Sequence, residues 1–170
     1  RKEHAIMTTK SKTHLEEIAI GMSARDRETM VDSLNGLLAD LTVLYIKARN
    51  YHWNVEGAHF FSLHAEFERL YTELSNDIDS VAERARSLGG IAAGSMAQYI
   101  ELATLKEATG TPLATAMVAE LGDDFERVIA SLRKKIMEAD DSHDFGTADF
   151  FTGLMEKYEK TAWMLRSYVR

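Results

Sequence analysis

Three of the six histidines, His52, His59 and His64, lie within one short stretch of the chain. Neutral imidazole binds iron and zinc, and Glu68 follows His64 by one helical turn, so a carboxylate and an imidazole share one helix face. Two imidazoles and one carboxylate suit Fe(II), as in the oxygenases that use two histidines and one carboxylate. The alternative is that His52 and His64 are half-buried residues where two helices pack.

The positions of His52 and His64 on either side of Gly57 predict that their side chains converge. Gly57 interrupts the helical pattern, and residues at similar distances from the turn of an antiparallel hairpin lie side by side. The run Glu56-Gly-Ala-His59 also matches Glu-x-x-His, a motif of di-iron carboxylate bundles that needs a helix to point both groups one way. Because a glycine lies inside this motif, we interpret Glu56 and His59 as residues of an exposed loop.

Asp79 and Glu83 are another pair of carboxylates one turn apart, farther along the same predicted helix. At about 100° per residue they continue the polar stripe of His64 and Glu68, beside the apolar face. Yet His64 and Asp79 are about 22 Å apart along the axis, at roughly 1.5 Å per residue, whereas metal–ligand bonds are only about 2.0–2.2 Å long. The stripe is therefore either a solvated helix face, or two half-sites that an antiparallel two-fold dimer completes.

Apolar side chains recur at three- and four-residue steps over four long segments, and no segment alternates as a strand would, so the fold class is all-α. The single proline and the clustering of the glycines also favour long helices. The long connection between the second and third helices holds a short extra helix, and it can cross the bundle as in ferritin-like four-helix bundles. The predicted helices span residues 25–54, Phe60 to Gly89-Gly90, about Met96–Leu105, Leu113–Ile136 and Ala148–Tyr168.

Local signals predict where these helices begin and end. Ser23, with Asp26 three residues later, predicts a capping box at the start of the first helix. Thr111-Pro112 predicts a cap followed by proline at the first position of the third long helix. The polar run at residues 140–147 predicts the turn before the last helix.

Composition limits the classes of function. The 27 acidic and 20 basic residues give a net charge of −7, which opposes binding to nucleic acid. Without cysteine, a metal must be held by His, Asp and Glu. No apolar run reaches the roughly 18–20 residues that span a bilayer and no secretory signal is visible, so we expect a cytoplasmic protein without a membrane partner. We treat residues 1–6, before the first methionine, as upstream residues, 7–22 as an N-terminal segment and 23–170 as the bundle domain.

The chain closely resembles the Dps family in three stretches, HWNVEGAHFFSLHAEFERLY, DIDSVAERARSLGG and TADFFTGLMEKYEKTAWMLRSYV. This family consists of ferritin-like mini-ferritins, named as DNA-binding proteins from starved cells. The resemblance implies a four-helix bundle with the short extra helix, and two-fold dimers assembled into a hollow homododecamer. It also implies ferroxidase sites between subunits, with His52, His64 and Glu68 from one subunit and Asp79 and Glu83 from its partner.

The implied reaction is oxidation of Fe(II), preferably by hydrogen peroxide, with Fe(III) stored as a mineral in the cavity. Such a protein would protect the cell against oxidative stress. Zinc is a competitor for histidine-containing sites. Trp53, beside His52, either intercepts stray oxidising equivalents or packs at the dimer interface.

Acidic residues near the start of the last helix match a pore through which iron would enter. Asp149 matches a pore position of the family, and Asp144 is a second candidate. The alternative for both is that the helix dipole favours acidic residues near a helix N-terminus.

Three hypotheses remain open from the sequence. The first is a ferroxidase and iron store, the second a nucleoid-associated DNA-binding structural protein with little ferroxidase activity, and the third a helical dimer whose acidic stripe is solvated. DNA binding in the family often depends on a lysine-rich tail. Here Lys10 and Lys12 are offset by Glu16 and Glu17 and the chain stops at Arg170, so we expect weak or absent DNA binding.

Overall fold

The apolar repeats of the sequence form helices in the computed structural model, which describes residues 15–170. Within these residues there are five helices and no strand, which confirms the all-α class, the four long helices and the short extra one. The helices are α1 (Ala24–Asn54), α2 (Phe60–Ser87), α3 (Met96–Leu102), α4 (Ala114–Asp141) and α5 (Phe145–Tyr168).

The long helices pack as two hairpins, α1 with α2 and α4 with α5, while α3 and α4 both contact α1. All four long helices contribute apolar side chains to one core. Fully burying a side chain of this kind contributes about 1.5–3 kcal/mol, so the core holds the hairpins together. The largest fully buried side chains include Tyr51, Phe67, Phe125, Phe151 and Tyr158.

The Ser23 half of the capping box predicted at the start of α1 is present, whereas the cap predicted before α4 is not. The backbone N–H of Asp26 donates to Ser23 Oγ at 3.1 Å. Before α4, Leu113 is the N-cap residue in an extended conformation, and its side chain makes no capping hydrogen bond. The prediction of proline at the first helical position was therefore wrong, because Pro112 precedes the cap itself.

The turn between α4 and α5 is shorter than the polar run at residues 140–147 predicts, since both helices extend into that run. Asp144 explains the early start of α5 at Phe145, because its Oδ1 accepts the backbone N–H of Thr147 at 3.0 Å and so caps the helix. The turn itself uses His143 with a positive φ of 54°. The predicted start of the last helix at Ala148 was therefore wrong.

The connection after α2 is tied to α1 on both sides of α3. Ser95 caps α3 in a complete capping box. Beyond α3, the buried carboxylate of Asp40 accepts the backbone N–H groups of Thr104 at 2.6 Å and Leu105 at 3.0 Å. These bonds hold residues 104–105 against α1, so the helix predicted to reach Leu105 ends earlier.

A second buried carboxylate, Asp77 of α2, fixes α5. It accepts Lys157 Nζ at 2.7 Å and the Tyr158 hydroxyl at 2.8 Å. Burial, followed by the charge of Asp77, raises the pKa of Tyr158 well above its ordinary value. The two hairpins are therefore joined by a polar contact as well as by the apolar core.

The N-terminal segment is described only from Leu15 onward. The backbone N–H of Glu16 donates to the Gly89 carbonyl at 2.8 Å, which attaches the segment to the end of α2. The upstream residues 1–6 and the lysines Lys10 and Lys12 lie outside the described residues. None of the described helices has the length and apolarity needed to cross a membrane.

Candidate metal centre

The end of α1 and the beginning of α2 bring His52 and His64 together, as their positions around the turn predict. α1 ends at Asn54, and Gly57 allows the reversal with a φ of 105°, which L side chains rarely adopt. The two imidazole rings then stack with their centroids 3.7 Å apart and their planes 23° from parallel.

Reciprocal hydrogen bonds hold this pair of rings. His52 Nδ1 lies 2.8 Å from the His64 carbonyl oxygen, and His64 Nδ1 lies 2.8 Å from the His52 carbonyl oxygen. A carbonyl oxygen can only accept, so each Nδ1 must carry the hydrogen. In the neutral rings each Nε2 then has a free lone pair, and metal-binding histidines commonly have this arrangement, with the other ring nitrogen donating to a carbonyl.

Aromatic rings pack around the pair and restrict its rotation. Phe60 stacks on His64 with centroids 5.1 Å apart, and Tyr71 presents its edge to His52 at 5.2 Å. The preceding residue, Tyr51, is buried and donates its hydroxyl to Glu120 of α4. Burial and this hydrogen bond raise the pKa of Tyr51, so its phenol stays protonated and anchors the last turn of α1.

The carboxylates predicted as ligands lie along α2 at increasing distance from the histidine pair. Glu68 is exposed one turn after His64, and its Oε1 accepts the Tyr71 hydroxyl at 3.5 Å. Asp79 and Glu83 are exposed near the other end of the helix. Within residues 15–170 of a single chain, no three His, Asp or Glu side chains are grouped closely enough to hold a metal ion.

The remaining candidate residues lie at two turns. Glu56 and His59 are exposed in the turn between α1 and α2, as expected for a loop. Asp144 is buried, caps α5 and accepts Arg84 Nη2 at 2.9 Å. These contacts favour the capping interpretation of Asp144 over the pore, while Asp149 is exposed on the first turns of α5.

Sequence reasoning missed Arg49, whose guanidinium lies over the rings of Tyr45, Trp53 and Tyr71. The spacing of Tyr45, Arg49 and Trp53 at four-residue steps could have indicated a shared helix face. The contribution of Tyr71 from α2 could not be predicted, because it depends on how the two helices pack. Trp53, considered as an interceptor of oxidants or as an interface residue, is 63% exposed in the single chain.

Comparisons with known proteins place this geometry among ferritin-like chains. A family model described as a ferritin-like domain matches residues 31–170. A low temperature-induced protein of Nostoc sp. is 47% identical over 154 residues, covering 89% of this chain and 86% of the relative. DNA protection during starvation protein 2 of Bacillus anthracis is 39% identical over 140 residues, covering 82% of this chain and 96% of the relative.

Solved structures give the same result. A Dps protein from Vibrio cholerae O1, described as a member of a broad superfamily of ferritin-like diiron-carboxylate proteins, superimposes with a TM-score of 0.88 at 31% identity. The match covers 94% of this chain and 100% of that one. A Dps protein from Bacillus brevis has a TM-score of 0.85 at 39% identity, with coverage of 88% and 100%.

Proposed function

We infer the function of this chain from its family, because the chain belongs to the Dps proteins of the ferritin-like superfamily. Storage of iron and protection against oxidative stress are the general functions of that family. We propose that the chain is a ferroxidase whose substrates are Fe(II) and, in preference to oxygen, hydrogen peroxide. The Fe(III) product is stored as a mineral inside a homododecamer built from two-fold dimers.

The observation that carries this proposal is the histidine pair. Both Nδ1 atoms are occupied by carbonyl oxygens, so His52 and His64 each have one nitrogen left for a metal. Metal-binding histidines commonly have one ring nitrogen fixed in this way, which orients the other nitrogen toward the ion. The pair therefore supports a metal site over the alternative of a solvated stripe.

The predicted ligands lie near opposite ends of α2, and this separation supports a site shared by two chains. Asp79 and Glu83 make no hydrogen bond or ion pair within residues 15–170, so their carboxylates are available to a second copy. Antiparallel two-fold pairing would set the Asp79 end of one α2 against the His64 end of the other. Each site would then hold two imidazoles with Glu68 from one chain and two carboxylates from the next.

The residues suit two-electron chemistry. Two Fe(II) ions and one hydrogen peroxide, with two protons, give two Fe(III) ions and two water molecules without releasing a radical. Carboxylate ligands favour the product, since hard oxygen anions stabilise Fe(III) more than Fe(II). Zinc would compete for the same imidazole nitrogens and should therefore inhibit.

Stopped-flow absorbance at equal protein concentration tests the proposal. Anaerobic Fe(II) mixed with peroxide should be oxidised rapidly by the unmodified protein and slowly by a His52→Ala/His64→Ala variant. His59→Ala is the matched control, because this exposed histidine lies in the adjacent turn without belonging to the pair. Equal rates in the double variant and the control would reject the site.

Iron would reach the cavity past the exposed Asp149, which we retain as the pore residue, whereas Asp144 already has structural partners. We further propose a cytoplasmic location. The name of the Bacillus anthracis relative refers to DNA protection, and a nucleoid-associated structural protein is the alternative function. A net charge of −7 disfavours it, so gel-shift assays at physiological salt should show little retention of DNA.

A further inference from the structure

Arg49 is surrounded by aromatic rings instead of carboxylates. Its guanidinium carbon lies 4.9 Å from the ring centroid of Trp53, 5.0 Å from that of Tyr71 and 5.6 Å from that of Tyr45. Its Nη1 donates to the Tyr45 hydroxyl at 2.6 Å, and its buried Nε has no hydrogen-bond partner. Arg49 forms no ion pair within residues 15–170, although the Glu68 carboxylate accepts the hydroxyl of Tyr71 at 3.5 Å.

One of these rings, Tyr71, is also in contact with the histidine pair. Tyr71 meets His52 edge-on at 5.2 Å, and Tyr45 meets Tyr71 edge-on at 6.3 Å. Tyrosine and tryptophan are the aromatic side chains that lose an electron most readily. An oxidant formed at the proposed iron site would therefore meet Tyr71 first, and the Arg49 guanidinium contacts Tyr71, Tyr45 and Trp53 alike.

We propose that Arg49 protects Trp53, Tyr71 and Tyr45 from oxidation, so that the electrons taken up by peroxide come from Fe(II) and not from the protein. This inference rests on the proposed ferroxidase function. The physical reason is electrostatic. A guanidinium over a neutral ring is attracted to the ring face, whereas a ring that has lost an electron is a cation and is repelled.

The competing reaction starts when a single Fe(II) reduces peroxide to hydroxide and hydroxyl radical. The radical takes one electron, becoming hydroxide, from whichever donor releases it most easily. If the donor is Trp53, the indole becomes a radical cation and passes its N–H proton to water. If the donor is a second Fe(II), the products are Fe(III) and hydroxide, and the side chain is unchanged. Arg49 disfavours the first outcome.

The two tryptophans of the chain allow an internally controlled experiment without iron. Trp163 is 59% exposed and Trp53 is 63% exposed, but of these two described tryptophans only Trp53 has a cation over its ring. The assembled protein is treated with ruthenium(III) tris-bipyridine, generated by light and persulfate. Peptide mass spectrometry then gives the ratio of oxidised Trp53 to oxidised Trp163.

Two substitutions of Arg49 distinguish the effect of its charge from the effect of its size. Arg49→Met removes the charge and keeps a long apolar stem, whereas Arg49→Lys keeps a charge on a similar stem. The oxidation ratio should rise about fivefold or more in Arg49→Met, since a unit charge this close repels a ring cation even in a water-like dielectric, and change by less than about twofold in Arg49→Lys. An unchanged ratio in Arg49→Met, or an equal rise in both variants, would overturn the proposal. If Arg49→Met fails to assemble, Arg49→Gln replaces it under the same criteria.

A second arm uses Fe(II) and peroxide with the same proteins. Oxidised Trp53 per iron consumed should rise in Arg49→Met and not in Arg49→Lys. If the unmodified protein does not oxidise Fe(II), the proposed function fails, while the iron-free ratio still decides whether Arg49 protects the ring. If Fe(II) is oxidised but the iron-free ratio is the same in all proteins, only the role of Arg49 is rejected.

Discussion

His52 and His64 each place Nδ1 at 2.8 Å from the backbone carbonyl oxygen of the other. The backbone of the hairpin therefore fixes the orientation of both rings, and the packed side chains of Phe60 and Tyr71 reinforce it. A site whose ligands are already oriented loses less conformational entropy when a metal binds. The two predictions that follow test this pair and its completion by a second chain.

Replacing His52 by asparagine or by glutamine should separate the hydrogen bond from metal binding. The amide nitrogen of asparagine lies near the position of Nδ1 and can still donate to the His64 carbonyl, whereas that of glutamine lies near Nε2. We expect His52→Asn to be more stable than His52→Gln by about 1 kcal/mol, the contribution of one such hydrogen bond. Denaturant unfolding of metal-free protein measures this, and a Fe(II) titration should show weakened binding in both variants. The reverse order of stability would contradict the reciprocal bonding.

Mixing two inactive variants should restore part of the activity if each site spans two chains. Consider a mixed dimer in which one chain is His52→Ala/His64→Ala and the other is Asp79→Asn/Glu83→Gln. One of its two sites contains only unaltered ligands, and the other has lost both the histidines and the carboxylates. Random pairing of equal amounts makes half of the dimers mixed, so about one quarter of all sites should be intact. Fe(II) oxidation after joint refolding is the measurement.

Each variant refolded alone and then mixed without exchange is the control for this experiment. It should remain inactive, because the subunits keep their original partners. Recovery equal to this control after joint refolding would mean that all ligands belong to a single chain.

Asp144 and Asp149 should respond differently to substitution. Asp144→Ala removes a buried cap and the partner of Arg84, so the free energy of unfolding should fall by about 2 kcal/mol. Asp149→Asn changes an exposed residue and should alter stability by less than about 0.5 kcal/mol. Uptake of Fe(II) into the assembled shell should nevertheless slow in Asp149→Asn. Unimpaired uptake in that variant would remove Asp149 from the proposed pore.

The stability of the fold should decline at alkaline pH through Tyr158. Burial raises the pKa of this phenol well above its ordinary value of 10.0. Below pH 10 the folded and unfolded chains both keep the proton, and no effect arises. Above it the unfolded chain releases the proton and the folded chain does not, so the free energy of unfolding falls by up to about 1.4 kcal/mol per pH unit. Denaturant unfolding between pH 9 and 11 should show a shallower decline in Tyr158→Phe, and the exposed Tyr168→Phe is the control for loss of a phenol.

The sequence predicts the helices well where burial decides the structure, and less well where single polar contacts do. The apolar repeat of α2 predicts its buried face, and the glycines at 89–90 predict the stop that follows Ser87, since Gly89 adopts a positive φ of 81°. At the start of α5, Asp144 and Gly146 resemble turn residues, and only the structure shows that the Asp144 carboxylate is buried, caps the helix at Thr147 and pairs with Arg84.

The candidate site was likewise predictable from the sequence only in part. The spacing around Gly57 was sufficient to predict that His52 and His64 come together, because residues at similar distances from the turn of a hairpin lie side by side. It was not sufficient to predict the reciprocal bonds, which require the two rings to pass each other at stacking distance. Arg49 was missed because its three aromatic neighbours come from two helices.

The distance between the two ends of the polar stripe on α2 has a consequence for newly synthesised protein. Under the proposed pairing, a lone subunit carries an incomplete set of ligands and cannot turn over iron. The chemistry would begin only once subunits have met, at a concentration that also favours closure of the shell. Ferric product would then form where a compartment already exists to receive it, and not on stray chains from which it would precipitate.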